Sequence, residues 1–146
     1  MEVLRLLVAD DHEMIRQGLR GLLEDQPGWA VVGEAATGRE AVDQVNQLKP
    51  DVVILDISMP EMDGLEATWR ILETAPQTAV LIFTMHKSEQ MVREAQKAGA
   101  RGYVLKSDSA DDIIAAVAAL SRQETFFSSG LEQWSPQGGE KKREGS

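Results

Sequence analysis

The chain has 146 residues, of which 42% are hydrophobic, and it carries a formal net charge of −9 at pH 7. This length supports one well-buried core rather than two. The absence of cysteine excludes a disulfide framework and a thiolate metal site, and it favours a cytoplasmic protein. No apolar stretch approaches the length of a membrane span. The acidic charge argues against direct nucleic-acid contact by this chain.

The predicted elements alternate between strand and helix along the chain. Nearly continuous apolar runs that end at a polar residue are typical of buried parallel strands, and they lie at residues 3–9, 51–55, 79–83 and 102–105, with a further strand at 29–35. Five stripes of helical spacing alternate with them: Ile15, Leu19, Leu22 and Leu23; Ala41, Val42, Val45 and Leu48; Leu65, Thr68, Trp69 and Leu72; Met91, Val92, Ala95 and Ala98; and Ile113, Ile114, Val117 and Leu120. We interpret Trp69 as a packing group.

This alternation predicts an α/β fold with a doubly wound, five-stranded parallel sheet and helices on both faces. The common flavodoxin-like strand order for five strands is 2-1-3-4-5, with the switch point between the first and third strands. We expect residues 1–123 to form this single domain. Residues 124–146 are predicted to be a polar C-terminal tail or a linker cut short.

Polar residues stand where four of the predicted strands end. They are Asp10 and Asp11 after the first strand, Asp56 after the third, Thr84 after the fourth and Lys106 after the fifth. Ligands of open α/β sheets bind outside the carboxyl ends of the strands, near the switch point. We therefore expect these side chains to meet in one cleft.

The acidic members of this group suit a hard divalent cation. Mg²⁺ typically takes one or two carboxylates, a carbonyl oxygen and waters. Asp11 and Asp56 with the backbone carbonyl of Ser58 fit that set, and Asp10 would act through a water. Because three carboxylates in one cleft repel each other, the cluster favours a bound cation.

The remaining members suit the transfer of a phosphoryl group onto Asp56. A carboxylate is an established nucleophile toward phosphorus, and catalysis of such a transfer is mostly positioning and charge neutralisation. Lys106 can neutralise a phosphate oxygen, and Thr84 can donate a hydrogen bond to another.

Each residue also has a simpler interpretation. Asp11 could cap a helix that begins near His12, Lys106 could be a solvated charge, and Thr84 could hydrogen-bond locally. His12 and His86 are expected at the surface or at the rim of the cleft. Four such groups at four strand ends together favour the site.

With these residues assigned, the chain resembles the receiver domain of bacterial two-component response regulators. The stretches that carry the resemblance are residues 7–12, 56–67, 83–86 and 99–106, and together they span nearly all of residues 3–122. The Asp-Asp-His opening and the Gly-Ala-x-Gly-Tyr-x-x-Lys close are most similar to the NarL/FixJ (LuxR-type) branch.

The resemblance implies roles for particular residues and a set of partners. Asp56 would be the phosphoacceptor, Asp10 and Asp11 the acidic pair for Mg²⁺, Lys106 the partner of the phosphoryl group, Thr84 the switch hydroxyl and Tyr103 the switch aromatic. A sensor histidine kinase would supply the phosphoryl group, and the chain would catalyse only its own phosphorylation and slow dephosphorylation. A homodimer that forms on phosphorylation is a further expectation.

Other functions remain open from the sequence. The NarL/FixJ branch normally continues into a helix-turn-helix DNA-binding domain, and the residues after Arg122 are too few to build one. We favour a receiver cut from a transcription factor over a stand-alone receiver that acts through protein contacts. A phosphohydrolase of the haloacid dehalogenase type would need an acid two residues after its nucleophile, where Ser58 stands. A binder of flavin mononucleotide would suffer repulsion between its phosphate and the carboxylates.

Overall fold

A computed structural model of the protein describes residues 3–127. Strands and helices alternate in the order β1 (Leu4–Ala9), α1 (Glu13–Glu24), β2 (Trp29–Ala35), α2 (Gly38–Leu48), β3 (Val52–Leu55), α3 (Gly64–Thr74), β4 (Ala79–Thr84), α4 (Glu89–Ala98), β5 (Gly102–Leu105), α5 (Ala110–Ser121) and β6 (Phe126–Phe127). The five predicted strands and five predicted helices are all present. Most of the predicted C-terminal tail, residues 128–146, lies outside the described residues.

The sheet has the order β2-β1-β3-β4-β5-β6, and every neighbouring pair of strands is parallel. The predicted order of the first five strands is confirmed. The sixth strand was not predicted, because two residues are too short to show an alternating pattern. Phe126 and Phe127 of β6 pair with Gly102 and Tyr103 of β5. Both phenylalanines lie within residues 124–146, which the sequence predicts to be a tail or linker.

Two apolar layers lie on opposite faces of the sheet because successive strand residues point to opposite sides. In β3, Val53 and Leu55 pack with α2, α3 and α4, whereas Val52 and Ile54 pack with α1 and α5. The central strands are thus buried on both faces, which explains their continuous apolar sequence.

Trp69 does not pack as the sequence predicts, since its side chain is 55% exposed. The buried residues of α3 are Gly64, Ala67, Thr68 and Ile71. A helix turns about 100° per residue, so the position after Thr68 is rotated away from the sheet. Of the predicted stripe, Thr68 is buried and Leu65 and Leu72 are partly buried, so the buried face of α3 lies about one residue earlier than the sequence predicts.

The loop after β3 folds back closely on itself at Gly64. A Cβ atom at this position would collide with the backbone carbonyl of Asp56. The Gly64 amide donates a hydrogen bond to the Ile57 carbonyl at 2.8 Å. Helix α3 therefore begins directly against the backbone of Asp56, and only glycine permits that approach.

We predict that Gly64→Ala destabilises the protein by about 1–3 kcal/mol through this overpacking. The matched variant is Gly21→Ala in α1, where an added Cβ meets no atom within 4 Å. It should stabilise the protein by about 0.5–1 kcal/mol, the helix preference for alanine over glycine. Urea unfolding of the two variants measures both changes. If the two variants changed the free energy of unfolding equally, the close approach of Gly64 to the Asp56 backbone would not constrain the loop.

Candidate functional site

The predicted polar residues meet at the carboxyl edge of the sheet. Backbone hydrogen bonds continue past the strand ends, from the Asp10 amide to the Ala35 carbonyl (3.0 Å) and from the Asp56 amide to the Ala9 carbonyl (3.0 Å). The Lys106 amide likewise donates to a carbonyl of β4 at 2.8 Å. These hydrogen bonds fix the backbone positions of Asp10, Asp56 and Lys106. Asp10, Asp56 and Thr84 are all buried.

Lys106 joins two of the carboxylates. Its Nζ lies 2.8 Å from Asp10 Oδ2 and 3.1 Å from Asp56 Oδ2, and the side chain is only 10% exposed. The contact with Asp56 is a hydrogen bond, and the contact with Asp10 is an ion pair. Burial opposes the ammonium charge, but the two carboxylates outweigh it and raise the pKa of Lys106. Lys106 is therefore not the solvated charge of the simpler interpretation.

Four residues could hold a cation at this edge. Ligand atoms of Asp10, Asp11, His12 and Asp56 all lie within 4.8 Å of one another. With His12 neutral, three carboxylates against the single ammonium of Lys106 leave two negative charges. The buried Asp10 Oδ2 has no aligned hydrogen bond among the described residues. This oxygen-rich set fits Mg²⁺, which requires oxygen ligands and compensates that charge.

His12 also belongs to this cluster, although the sequence pattern does not predict it as a ligand. Its side chain is 64% exposed, as expected for a rim position, but Nδ1 lies 3.0 Å from Asp10 Oδ1 and 3.2 Å from Asp11 Oδ1. The only signal in the sequence is its position directly after the two aspartates.

The capping interpretation of Asp11 finds no support in the start of α1. The N-cap residue of α1 is His12, and its side chain makes no capping hydrogen bond. The His12 amide donates to Asp10 Oδ1 at 2.9 Å, so Asp10 and not Asp11 accepts this amide.

His86 links the loop after β4 to two other parts of the site. Its Nε2 lies 3.0 Å from the hydroxyl oxygen of the exposed Ser58, in the loop that follows Asp56. Its carbonyl accepts a hydrogen bond of 2.6 Å from the Tyr103 hydroxyl, and its amide donates to Thr84 Oγ1 at 3.3 Å. Thr84 thus has the local hydrogen bond that its simpler interpretation predicts, within the same site.

Tyr103 lies on β5 with its side chain fully buried in the layer that contains α2, α3 and α4. Burial and the negative charge of Asp56 raise the pKa of Tyr103 to about 12. The hydroxyl is neutral at physiological pH and acts as the donor to the His86 carbonyl. The predicted switch aromatic therefore stands in an inward position, bonded to the loop after β4.

Comparison with protein families identifies this arrangement. Residues 6–118 match the family model of the response regulator receiver domain. The chain belongs to this family. The match includes Asp10, Asp11, Asp56, Thr84 and Lys106, so the whole strand-end cluster lies within it.

Individual relatives agree with this assignment. The response regulator protein VraR of Staphylococcus aureus is 43% identical over 124 residues, which are 85% of this chain and 59% of VraR. A LuxR-family two-component response regulator from Aurantimonas sp. SI85-9A1 aligns with a TM-score of 0.83 and 34% identity, over 99% of this chain and 98% of that one. The signal receiver domain of the putative response regulator NarL from Mycobacterium tuberculosis aligns with a TM-score of 0.80 and 33% identity, over 84% of this chain and 98% of that one.

The chain is thus a receiver domain of two-component response regulators, related to LuxR-family regulators, and such domains act in phosphorylation-controlled signalling. It spans 59% of the length of the curated relatives it matches. Among residues 3–127, no helix is long and apolar enough to cross a membrane.

The environment of Tyr103 can be tested directly because it is the single tyrosine of the chain. We predict that its phenolate absorbance in the folded receiver domain rises with a midpoint at about pH 12. In concentrated urea the midpoint should return to about 10, the value of an unburied tyrosine. The measurement is a spectrophotometric titration in the near ultraviolet.

The sign of the accompanying change in stability follows from the raised pKa. The folded state holds the Tyr103 proton to higher pH than the unfolded state does, so this contribution to stability is complete below about pH 10. It is then lost as the pH rises toward about 12. Tyr103→Phe should lack the titration, and its stability should fall less over this interval. A midpoint of about 10 in the folded protein would mean that the ring is exposed.

Proposed function

We propose that Asp56 is the phosphoacceptor of this receiver domain and takes its phosphoryl group from a phosphohistidine of a sensor histidine kinase. The observation that carries the proposal is the pairing of the buried Asp56 carboxylate with Lys106, beside the acidic Asp10 and Asp11. The family interacts with such kinases, and the specific partner is part of the proposal.

In the proposed step, a carboxylate oxygen of Asp56 attacks phosphorus while the bond from phosphorus to the histidine nitrogen breaks. The phosphoryl group moves to Asp56 as an acyl phosphate, and the kinase histidine, whose ring is protonated on its other nitrogen in the reacting phosphohistidine, leaves as neutral imidazole. Lys106, which now neutralises the carboxylate, is close enough to pair with a phosphoryl oxygen instead. Hydrolysis of the acyl phosphate by water reverses the signal.

Receiver domains bind Mg²⁺ through an acidic pocket, and the proposed ligands here are Asp11, Asp56 and the backbone carbonyl of Ser58, with Asp10 acting through a water. When bound, the cation would neutralise negative charge on the phosphoryl oxygens. The chain would catalyse only its own phosphorylation and dephosphorylation and would turn over no metabolite. For this reason we do not propose an enzyme in the ordinary sense.

The proposed switch consists of Thr84 and Tyr103. A dianion on Asp56 would draw the Thr84 hydroxyl toward it and favour the buried position of the Tyr103 ring. The hydrogen bond that the Tyr103 hydroxyl already donates to the His86 carbonyl would hold the loop after β4 in that state. Because this loop leads into α4, phosphorylation would change the shape of the surface formed by α4, β5 and α5.

We further propose that the receiver domain acts in the cytoplasm, without direct contact with nucleic acid or membrane. Phosphorylation would favour a homodimer and would regulate transcription through a helix-turn-helix domain outside this chain. The similarity to LuxR-family regulators supports that output. A stand-alone receiver that acts through protein contacts is the alternative.

Incubation with Mg²⁺ and acetyl phosphate, a small phosphoryl donor, tests the central proposal. We expect the intact mass to increase by a single phosphoryl group, because Asp56 is the proposed acceptor. Asp56→Asn should abolish the increase, since an amide is a poor nucleophile toward phosphorus. Removal of Mg²⁺ with a chelator should also prevent it. Mass spectrometry of the intact chain is the measurement.

Asp43→Asn provides the matched control, because Asp43 is an exposed aspartate on α2. This variant should be phosphorylated as the unmodified chain is. Phosphorylation of the Asp56→Asn protein would contradict the assignment of the acceptor.

A further inference from the structure

A second cluster of charges lies between α1 and β2, next to the acidic site. It consists of Arg16 and Arg20 of α1 and Glu34 of β2. Arg16 Nε donates to Glu34 Oε1 at 3.1 Å, and Arg20 Nη1 donates to Glu34 Oε2 at 2.6 Å. One carboxylate therefore holds two guanidinium groups from successive turns of the helix.

Arg16 also reaches the acidic site itself. Its Nη1 donates a hydrogen bond of 2.6 Å to the backbone carbonyl of Asp10, and its side chain is only 16% exposed. A guanidinium presents its donors in a rigid, planar fork. Fixing one edge of the fork on Glu34 thus fixes the direction from which the other donor approaches Asp10.

The Asp10 carbonyl belongs to the peptide that joins Asp10 to Asp11. The plane of this peptide determines where the backbone of Asp11 lies, because a peptide unit is rigid. On its other side, Asp10 is held by its amide, which donates to the Ala35 carbonyl of β2 at 3.0 Å. Arg16 therefore acts on the peptide that joins the two residues of the acidic pair.

Glu34 can balance the charge of Arg16 because Arg20, its other partner, also pairs with Glu24, whose Oε1 lies 3.5 Å from Arg20 Nε. The hydrogen bond from Arg20 lowers the pKa of Glu34, burial opposes this effect, and the contact with Arg16 lowers the pKa further, so Glu34 stays ionised. An unbalanced guanidinium beside the acidic cluster would repel a divalent cation. With Glu34 as its partner, Arg16 can hold the backbone with less of this repulsion.

From these contacts we infer that Arg16 is a positioning residue for the acidic pair, acting through the Asp10 carbonyl and held in place by Glu34. This role rests on the proposed Mg²⁺ site. Groups that orient metal ligands typically change metal affinity about 10–100-fold when they are removed. Arg16 contacts a backbone atom and not a ligand oxygen, so the lower end of that range applies.

The sign of the effect separates this role from simple electrostatics. Arg16→Ala removes a positive charge near the carboxylates, which by charge alone would tighten the binding of Mg²⁺. A positioning role instead predicts weaker binding, by about 10-fold. Calorimetric titration of each purified protein with Mg²⁺ gives the affinity directly, without any phosphoryl transfer.

Arg20→Ala is the matched control, because Arg20 lies on the same helix and binds the same Glu34, but its other contacts are with Glu24 and the Val31 carbonyl, away from Asp10. Its loss should lower the thermal melting temperature as the loss of Arg16 does, while Mg²⁺ affinity stays near that of the unmodified chain. Arg16→Lys keeps the charge but lacks the fork, so it should restore only part of the affinity. If Arg16→Ala does not fold, the Mg²⁺ affinity of Arg16→Lys tests the positioning role instead.

Unchanged or tighter Mg²⁺ binding by a folded Arg16→Ala or Arg16→Lys protein would overturn the positioning role. Equal weakening in Arg16→Ala and Arg20→Ala would also overturn it, because the cluster would then act only on stability. A failure of the proposed function would give a different result from a failure of the positioning role. In that case the unmodified chain would itself bind no Mg²⁺ and would gain no phosphoryl group from acetyl phosphate.

Discussion

The contact of Lys106 with Asp10 and Asp56 is the interaction on which the site depends. It joins the ends of three strands, β1, β3 and β5, that are distant in the sequence. Three carboxylates at one edge of a buried sheet would destabilise the fold if nothing compensated their charge. Lys106 compensates part of it, and the negative charge that remains would attract a divalent cation. The same excess of negative charge therefore opposes the stability of the fold and favours the proposed binding of Mg²⁺.

Around this contact, hydrogen bonds connect the site to the parts of the fold that could respond to it. His86 contacts Ser58 through its ring and Tyr103 through its carbonyl, so the loops after β3 and β4 are tied to a buried side chain of β5. On the opposite side, Arg16 ties the acidic pair to β2. We interpret the first set as the proposed switch and the second as a fixed support.

Much of this site was predictable because its residues mark the ends of strands. Buried parallel strands appear as apolar runs, and a polar residue that ends such a run lies at the ligand-binding edge. Asp56 and Lys106 were assigned to one cleft on this reasoning, and the structure brings them into contact. Trp69 was predicted wrongly, because a stripe of helical spacing does not fix which residue lies at its centre. The contact of His12 with both aspartates was missed, because an isolated histidine carries no periodic signal.

The alternation of strands and helices, the parallel sheet and the residues at its carboxyl edge all follow from the amino-acid sequence. These features depend on local hydrophobic patterns and on the rigid rules by which parallel strands connect. Three further features are visible only in the folded chain: the pairing of β6 with β5, the inward position of Tyr103 and the hydrogen bond from Arg16 to the Asp10 carbonyl. Each of these features depends on how a side chain or a backbone group of one element is oriented toward another element that is distant in the sequence. A local sequence pattern does not encode that orientation.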